Sequence, residues 1–390
     1  MASNAFYDFR AKLLRLGTLL GCVLYWGTSM TLAEQPWVYF GTYTGKSSKG
    51  IYVSRFNPKT GALATPELAA DSQHPSYLAL HPKGKFLYAV NEISDFQGKQ
   101  EGAVTAFALN RTNGHLTYIN QQSSGGGAPC HLSVDALGRA VMVANYSGGS
   151  IASLPIAADG ALKPAVTFIQ HTGKGAIAGR QSSPHAHAIY LDKEQRFAVV
   201  SDLGLDRVLI YRFNALTGGL TLNEAPLAKL APASGPRHFA FHPNQRFGFS
   251  LNEIDSTITS LSYDRHVGQL TALGTVSTLP ANLKVDSSTA EIFIHPSGQF
   301  LYASNRGHDS IAAFRVDGHT GSLTLLQNEP TGGQTPRGFG IDPSGRWLLA
   351  ANQNSDSVVV FSIDRHSGKL TRTEHSISVG SPVSVHFMQP

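Results

Sequence analysis

The feature that most limits how this chain can fold is a short turn that returns seven times. Gly-x-Leu occurs at Gly61-Ala-Leu63, Gly114-His-Leu116, Gly160-Ala-Leu162, Gly218-Gly-Leu220, Gly268-Gln-Leu270, Gly321-Ser-Leu323 and Gly368-Lys-Leu370, at spacings of 53, 46, 58, 50, 53 and 47 residues. A second marker keeps step with the first. His81-Pro82, Asp135, Asp192, His242-Pro243, His295-Pro296 and Asp342-Pro343 each open a turn, and ten residues after each stands Asn91, Asn145, Asp202, Asn252, Asn305 or Asn352. Two markers in fixed phase signify a structural repeat.

Each copy carries four short strand patterns, with β-branched and aromatic residues alternating between Gly, Pro and Asn clusters. In the copy after residue 75 they are Tyr77–Leu80, Phe86–Val90, Val104–Leu109 and Leu116–Asn120. Four strands per copy is the blade of a β-propeller. The first copy offers only three, Trp37–Thr42, Ile51–Phe56 and Leu63–Leu68, and Pro382–Phe387 at the far end supplies the missing innermost strand. The expectation is an all-β, seven-bladed β-propeller with four antiparallel strands per blade, its last blade closed by N- and C-terminal strands. Closure leaves no open ring edge. A right-handed solenoid is the alternative, but it has no need of a split copy. Composition agrees: charged residues are only 15%, too few for coiled coils, and 39 glycines supply the turns.

Residues 1–33 are expected to be an export signal and residues 34–390 a single propeller domain. Arg10, Lys12 and Arg15 precede the apolar stretch Leu16–Leu24, and Thr31-Leu32-Ala33 is a small-residue cleavage site. A lone membrane anchor is the alternative, against which Gly17, Gly27, Thr28 and Ser29 interrupt the apolar run. Cys22 after Leu19-Leu20-Gly21 is a further possibility, as a lipid acceptor. The protein is expected to be exported if the signal is used and cytoplasmic otherwise. The net charge is +5, without a Lys/Arg run, so nucleic acid is not an expected partner. After cleavage only Cys130 remains, which excludes an intrachain disulfide and a cysteine metal site. Asn110-Arg-Thr112 and Asn145-Tyr-Ser147 match the glycan acceptor pattern, which means nothing without a host.

Strand direction sorts the two ends of the ring. The His-Pro-x-Gly and Gly-x-Leu turns share one end and are uniform, so that end is expected to be structural. The starts of the first strands and the ends of the second lie at the other end, where the copies disagree. The first-strand positions read Ser76-Tyr77, Cys130-His131, His187-Ala188, Arg237-His238, Ala290-Glu291 and Arg337-Gly338. The position after the Asn/Asp column reads Glu92, Tyr146, Leu203, Glu253, Arg306 and Gln353. Innermost strands line the channel, so Arg237, His238, His187, Arg337, Glu291, Glu253 and Arg306 are expected around one mouth. The bland alternative is that Arg237 and Arg306 only neutralise Glu253 and Glu291. The Asn column and the histidines of the His-Pro turns are expected to be structural.

The connection His171–His187 joins this mouth. Its Gly173-x-Gly175-x-x-Ala178 spacing suggests a dinucleotide fingerprint, but no helix pattern follows. Lys174 and Arg180 remain candidates for holding an anion, against the alternative of a flexible surface loop. His185 and His187 sit two apart without a completing carboxylate or cysteine, so no metal is expected. Gly-x-Ser-x-Gly, His-Glu-x-x-His and P-loop patterns are absent from the sequence.

Together HPKGKFLYAVNE (81–92), GRQSSPHAHAIYLD (179–192), DLGLDRVLIYRF (202–213), SGPRHFAFHPNQRFGFSLNE (234–253), LYASNRGHDSIAAF (301–314) and TPRGFGIDPSGRWLLAANQ (335–353) are distinctive. They resemble the seven-bladed β-propeller lactonase family, which includes bacterial 6-phosphogluconolactonases, from about Trp37 to the C-terminus. The resemblance implies hydrolysis of a sugar lactone without a cofactor. A related propeller family interconverts muconate and muconolactone, with a His, two Arg and a Glu as its proposed site. The matching residue types are His185 or His187, Arg237, Glu253 and Arg306. The expected chemistry is water attack on the lactone carbonyl, with Glu253, or His187 with it, as general base and Arg237 and Arg306 stabilising the oxyanion. Arg337, with Lys174 or Arg180, would hold a phosphate or a hydroxyl-rich tail, and Glu291, His238 and His185 would contact the sugar. A cycloisomerase and a non-enzymatic binding platform are the rival readings. The expected partner is a small-molecule lactone, and the protein is expected to be a monomer without a stable membrane span. The cytosolic 6-phosphogluconolactone and an export signal do not fit one another, which leaves the substrate's name open.

Overall fold

A computed structural model describes residues 35–224 and 228–388. The export segment read over residues 1–33, Cys22 included, lies outside the described residues. Seven separate antiparallel sheets follow one another along the chain. Their innermost strands are Leu78–Leu80, Pro129–Val134, Ala186–Leu191, Pro236–Phe241, Ser288–Ile294, Pro336–Ile341 and Pro382–Phe387. The last of these pairs with Trp37–Thr42, so one blade is built from both chain ends, Val38 lying opposite Phe387 and Phe40 opposite Val385. The described residues contain no helix long and apolar enough to cross a membrane.

The two sequence markers are the joints between blades. All seven glycines of the Gly-x-Leu turns have left-handed φ angles, from 67° at Gly268 to 88° at Gly160. Only glycine takes that conformation without strain. A Cβ at Gly268 would also lie 2.4 Å from the Phe197 ring, and one at Gly160 2.4 Å from Phe86. The same contact is made by Gly321 on Phe247, Gly368 on Phe300, Gly61 on Trp347 and Gly114 on Trp37. Each turn thus docks on the first residue of the preceding blade's second strand.

The His-Pro turns tie neighbours in the other direction. Nδ1 of His242 accepts a turn N–H from Asn244 at 3.1 Å, which leaves the proton on Nε2, and Nε2 donates to the Gly298 carbonyl at 2.9 Å. His295 reaches Gly345 and His81 reaches Gly138 in the same way. Where the copy has Asp instead, the carboxylate accepts N–H groups of its own turn, as Asp342 does from Arg346 and Trp347. The Asn column ties strand two to its neighbours: Asn145 Nδ2 donates to the Ser124 carbonyl and to Ser150 Oγ.

One strand falls elsewhere than expected. The outermost strand of the split blade is Glu67–Asp71, not Leu63–Leu68, and Leu63 makes only an isolated bridge to Phe56. Leu162 behaves likewise, with the outer strand delayed to Thr167–Gln170. In both copies a proline, Pro66 or Pro164, closely follows the turn. Proline has no N–H to give to the ladder, so pairing resumes only beyond it.

Candidate active site

The candidate site begins with a repeated irregularity. At the start of five innermost strands the pairing skips residues, from Pro129 to His131, Ala186 to Ala188, Pro236 to His238, Thr289 to Ile292 and Pro336 to Gly338. The residues left out are Cys130, His187, Arg237, Ala290 with Glu291, and Arg337. A bulged residue is unpaired and its side chain is re-aimed. On a regular strand neighbours point to opposite faces. The bulge lets Arg237 and His238 line the same space inside the channel.

At this mouth a cavity of about 270 Å³ is lined by Glu92, Cys130, Tyr146, Arg180, His187, Glu253, Arg306 and Arg337. Glu253 is its electrostatic hub. Arg237 Nε and Arg306 Nη2 each lie 3.0 Å from Glu253 Oε2, and Arg180 Nη2 donates to Oε1. The Arg237 Nε contact is an ion pair out of line for a hydrogen bond. Burial alone would raise the Glu253 pKa, but Arg306, Arg237, Arg180 and Arg337 outweigh it and hold the carboxyl at about 2. Because that lies below the unfolded value, the pairing's stabilisation is complete above the ordinary carboxylate range. It is lost as pH falls toward 2.

The other lining groups are fixed as firmly. Arg306 Nη2 donates to the Thr289 carbonyl at 2.8 Å. Arg337 lies 5.2 Å from the centre of the Tyr43 ring, and the Tyr43 hydroxyl donates to Glu92 Oε2 at 2.8 Å. Ser76 donates to the same oxygen at 2.5 Å. Cys130 donates its S–H to the His187 carbonyl at 3.2 Å, and burial pushes its thiol far up, so it is no nucleophile. His187 is held neutral by burial and by Arg237, His238 and Arg337.

Arg237, His238 and Glu291 form a buried chain one layer down. Arg237 Nη1 donates to the Ala290 carbonyl and approaches His238 Nε2 at 3.1 Å. A guanidinium can only donate, so Nε2 is the acceptor and the histidine proton sits on Nδ1. Nδ1 donates to Glu291 Oε1 at 2.6 Å, which also accepts the Ile292 N–H at 3.0 Å. Burial, with Arg237 and Arg337, drives the His238 pKa down, in keeping with a neutral ring. Burial raises Glu291 to about 7 against the opposing pull of Arg237. Tyr77, His131 and His386 pack their rings around this layer.

Most of the residues expected at the mouth are therefore together: His187, Glu253, Arg306, Arg337 and Arg180 in the cavity, and Arg237, His238 and Glu291 beneath it. Two are not. His185 stacks on Tyr146 with ring centroids 4.6 Å apart and its Nδ1 2.9 Å from the Tyr146 carbonyl, outside the lining. Lys174 is exposed and also outside it. The Gly-rich connection is anchored: buried Gln181 donates to the Leu203 carbonyl and to Asp206, and accepts the N–H groups of Ala176 and Ile177. That anchor fixes the base of Arg180.

Sequence reasoning passed over Glu92, Tyr146, Cys130 and Tyr43. The first three stand in the two columns that supplied Glu253 and Arg237, so the columns themselves carried the signal. Tyr43 follows Thr42, which takes the Asn place in the split blade and hides the column there. Among the described residues no group of three or more His, Cys, Asp or Glu is placed to hold a metal ion. A larger cavity, about 400 Å³, lies at the opposite mouth, with Lys83, Arg111 and His386 in its wall but no carboxylate.

The family profile described as "Lactonase, 7-bladed beta-propeller" matches residues 37–387. The 6-phosphogluconolactonase of Bacillus subtilis (strain 168) is 35% identical over 304 residues, 78% of this chain and 84% of that protein. A 6-phosphogluconolactonase of Formosa agariphila is 35% identical over 310 residues, 78% of this chain and 86% of that protein. The solved structure of the Pseudomonas aeruginosa periplasmic gluconolactonase superposes with a TM-score of 0.85 at 33% identity, covering 91% of this chain and 99% of that one.

Proposed function

The chain belongs to the seven-bladed β-propeller lactonase family, and from that premise we propose that it hydrolyses an anionic sugar lactone of the 6-phosphogluconolactone type at the bulged mouth. Lactone hydrolysis is the activity its named relatives share. The observation that carries the finer reading is the charge of the cavity. Arg180, Arg306 and Arg337 line it against Glu92 and Glu253, with Arg237 just beneath. Arginine forks match phosphate and carboxylate oxygens in a bidentate way.

In this reading Arg180 and Arg337 hold the anionic tail, and Arg237 and Arg306 face the lactone carbonyl and stabilise the oxyanion. Glu253 and His187 complete the catalytic set. Glu253 is ionised and keeps the guanidinium groups at fixed positions. An incoming anion competes with it for Arg180, the most exposed of its partners. Preorganised charge of this kind lowers the barrier because it needs no rearrangement during reaction.

A second reading rests on the periplasmic gluconolactonase neighbour and the export segment read at residues 1–33: an unphosphorylated lactone, acted on outside the cytoplasm. Initial rates on 6-phosphogluconolactone and on gluconolactone, each corrected for spontaneous opening, decide between them. The expected kcat/KM is at least about tenfold higher for the phosphorylated lactone, one good ionic contact's worth. The reverse ranking supports the second reading, and no acceleration of either lactone defeats both.

A further inference from the structure

Below the mouth cavity the channel narrows to a space of about 10 Å³. A space of roughly that size admits one water. Glu92, Cys130 and Arg337 line both this space and the cavity above it, and Arg237, His238 and Glu291 contribute to the rest of its wall. Both hydrogen bonds to the Glu291 carboxyl fall on Oε1. No described residue donates to Oε2, although the side chain is only 3% exposed. Oε2 thus has no protein donor but keeps contact with accessible space, beside a water-sized volume under the substrate cavity, where a water can donate to it.

We propose that this space holds the attacking water and that Glu291 is the general base that takes its proton. The inference rests on the lactonase reading and adds the group that activates water. As the water oxygen bonds to the lactone carbonyl carbon, its proton passes to Glu291 and the carbonyl oxygen becomes the oxyanion beside Arg237. Collapse of that intermediate breaks the bond to the ring oxygen. The ring oxygen takes the proton back from Glu291 and becomes a hydroxyl, while the new carboxyl group releases its own proton to solvent. Glu291 ends as it began.

The competing carboxylates are less suited. Glu253 is neutralised by three arginines, and its pKa of about 2 makes it a feeble proton acceptor. Glu92 Oε2 already accepts from two hydroxyls. Glu291 is faced by His238 and Arg237 from one strand, Arg337 and His386 from two others, and the buried hydroxyls of Tyr77 and Tyr190. Burial leads among these influences and brings its pKa to about 7, where a base works best at neutral pH.

The test is kcat against pH for the full chain on 6-phosphogluconolactone, with Glu291→Gln, Glu92→Gln and Glu291→Ala alongside. Wild-type kcat should rise with pH through a single ionisation near 7, because the base works only when deprotonated. Glu291→Gln should lose about 100-fold or more in kcat, keep KM within about threefold and lack that limb. Added formate should restore part of the turnover of Glu291→Ala, a rescue that a merely structural glutamate would not show. Four results overturn the proposal: a flat wild-type profile between pH 5.5 and 8, a small loss in Glu291→Gln, a limb that survives the substitution, or its loss in Glu92→Gln instead. The wild-type profile serves even if the variants fail to fold. A wild type that does not open the lactone at all refutes the lactonase reading itself, a distinct outcome.

Discussion

The two mouths of the channel are built from the same seven copies, yet they differ in what varies. At one, Gly-x-Leu turns pack on neighbouring aromatic rings and turn histidines donate to the next blade's carbonyl. The copies vary little there: Gly218 packs on Ala140 instead of a ring, and Asp135, Asp192 and Asp342 replace the turn histidine. At the other, the innermost strands enter through bulges, and the released residues are a thiol, an imidazole, two guanidiniums and a carboxylate. The regular end supplies the rigidity against which the irregular end can hold buried charges. Charged groups out of water persist only where packing fixes their partners.

If that division holds, substitutions should separate by end. The largest effect is expected for Arg237→Ala, which removes an oxyanion donor and a partner of both Glu253 and His238. Its kcat should fall about 100- to 1000-fold. A loss below about tenfold would mean that the guanidinium only neutralises Glu253. Gly268→Ala, at the regular end, should leave kcat within about twofold but cost about 1–3 kcal/mol of stability. Its φ of 67° and the ring 2.4 Å from an added Cβ are the causes. Denaturant unfolding reads that loss, and an unchanged midpoint would show that the turn contact is dispensable. The smallest contrast lies within one connection. Arg180→Ala should raise KM for a phosphorylated lactone about tenfold with kcat little changed. Lys174→Ala, exposed and away from the cavity, should change neither. Equal effects of the two would mean that only long-range charge matters.

How much of this was legible in the sequence follows the same division. The regular end was, because turn glycines recur in all seven copies and a His or Asp opens the neighbouring turn at a fixed phase. The closure by Pro382–Phe387 was legible too, from a copy one strand short. The outer strand at Glu67–Asp71 was not, since apolar pattern placed it on Leu63 and only Pro66 signalled the delay. At the irregular end the columns gave the residues but not their depth. A bulge is a property of pairing register, and nothing in Pro236-Arg237-His238 states that both side chains enter the channel. Nor could residue type alone show that Glu253 and Glu291 stand in opposite surroundings. One is neutralised by arginines and the other buried beside a neutral histidine, so their pKa values part to about 2 and about 7.

The most direct measurement of the central claim is ring opening of 6-phosphogluconolactone in oxygen-18 water, followed against buffer alone. The account predicts opening well above the spontaneous rate, with one heavy oxygen in the new carboxylate of each product molecule. Opening no faster than in buffer, or a protein-dependent product without solvent oxygen, would contradict it.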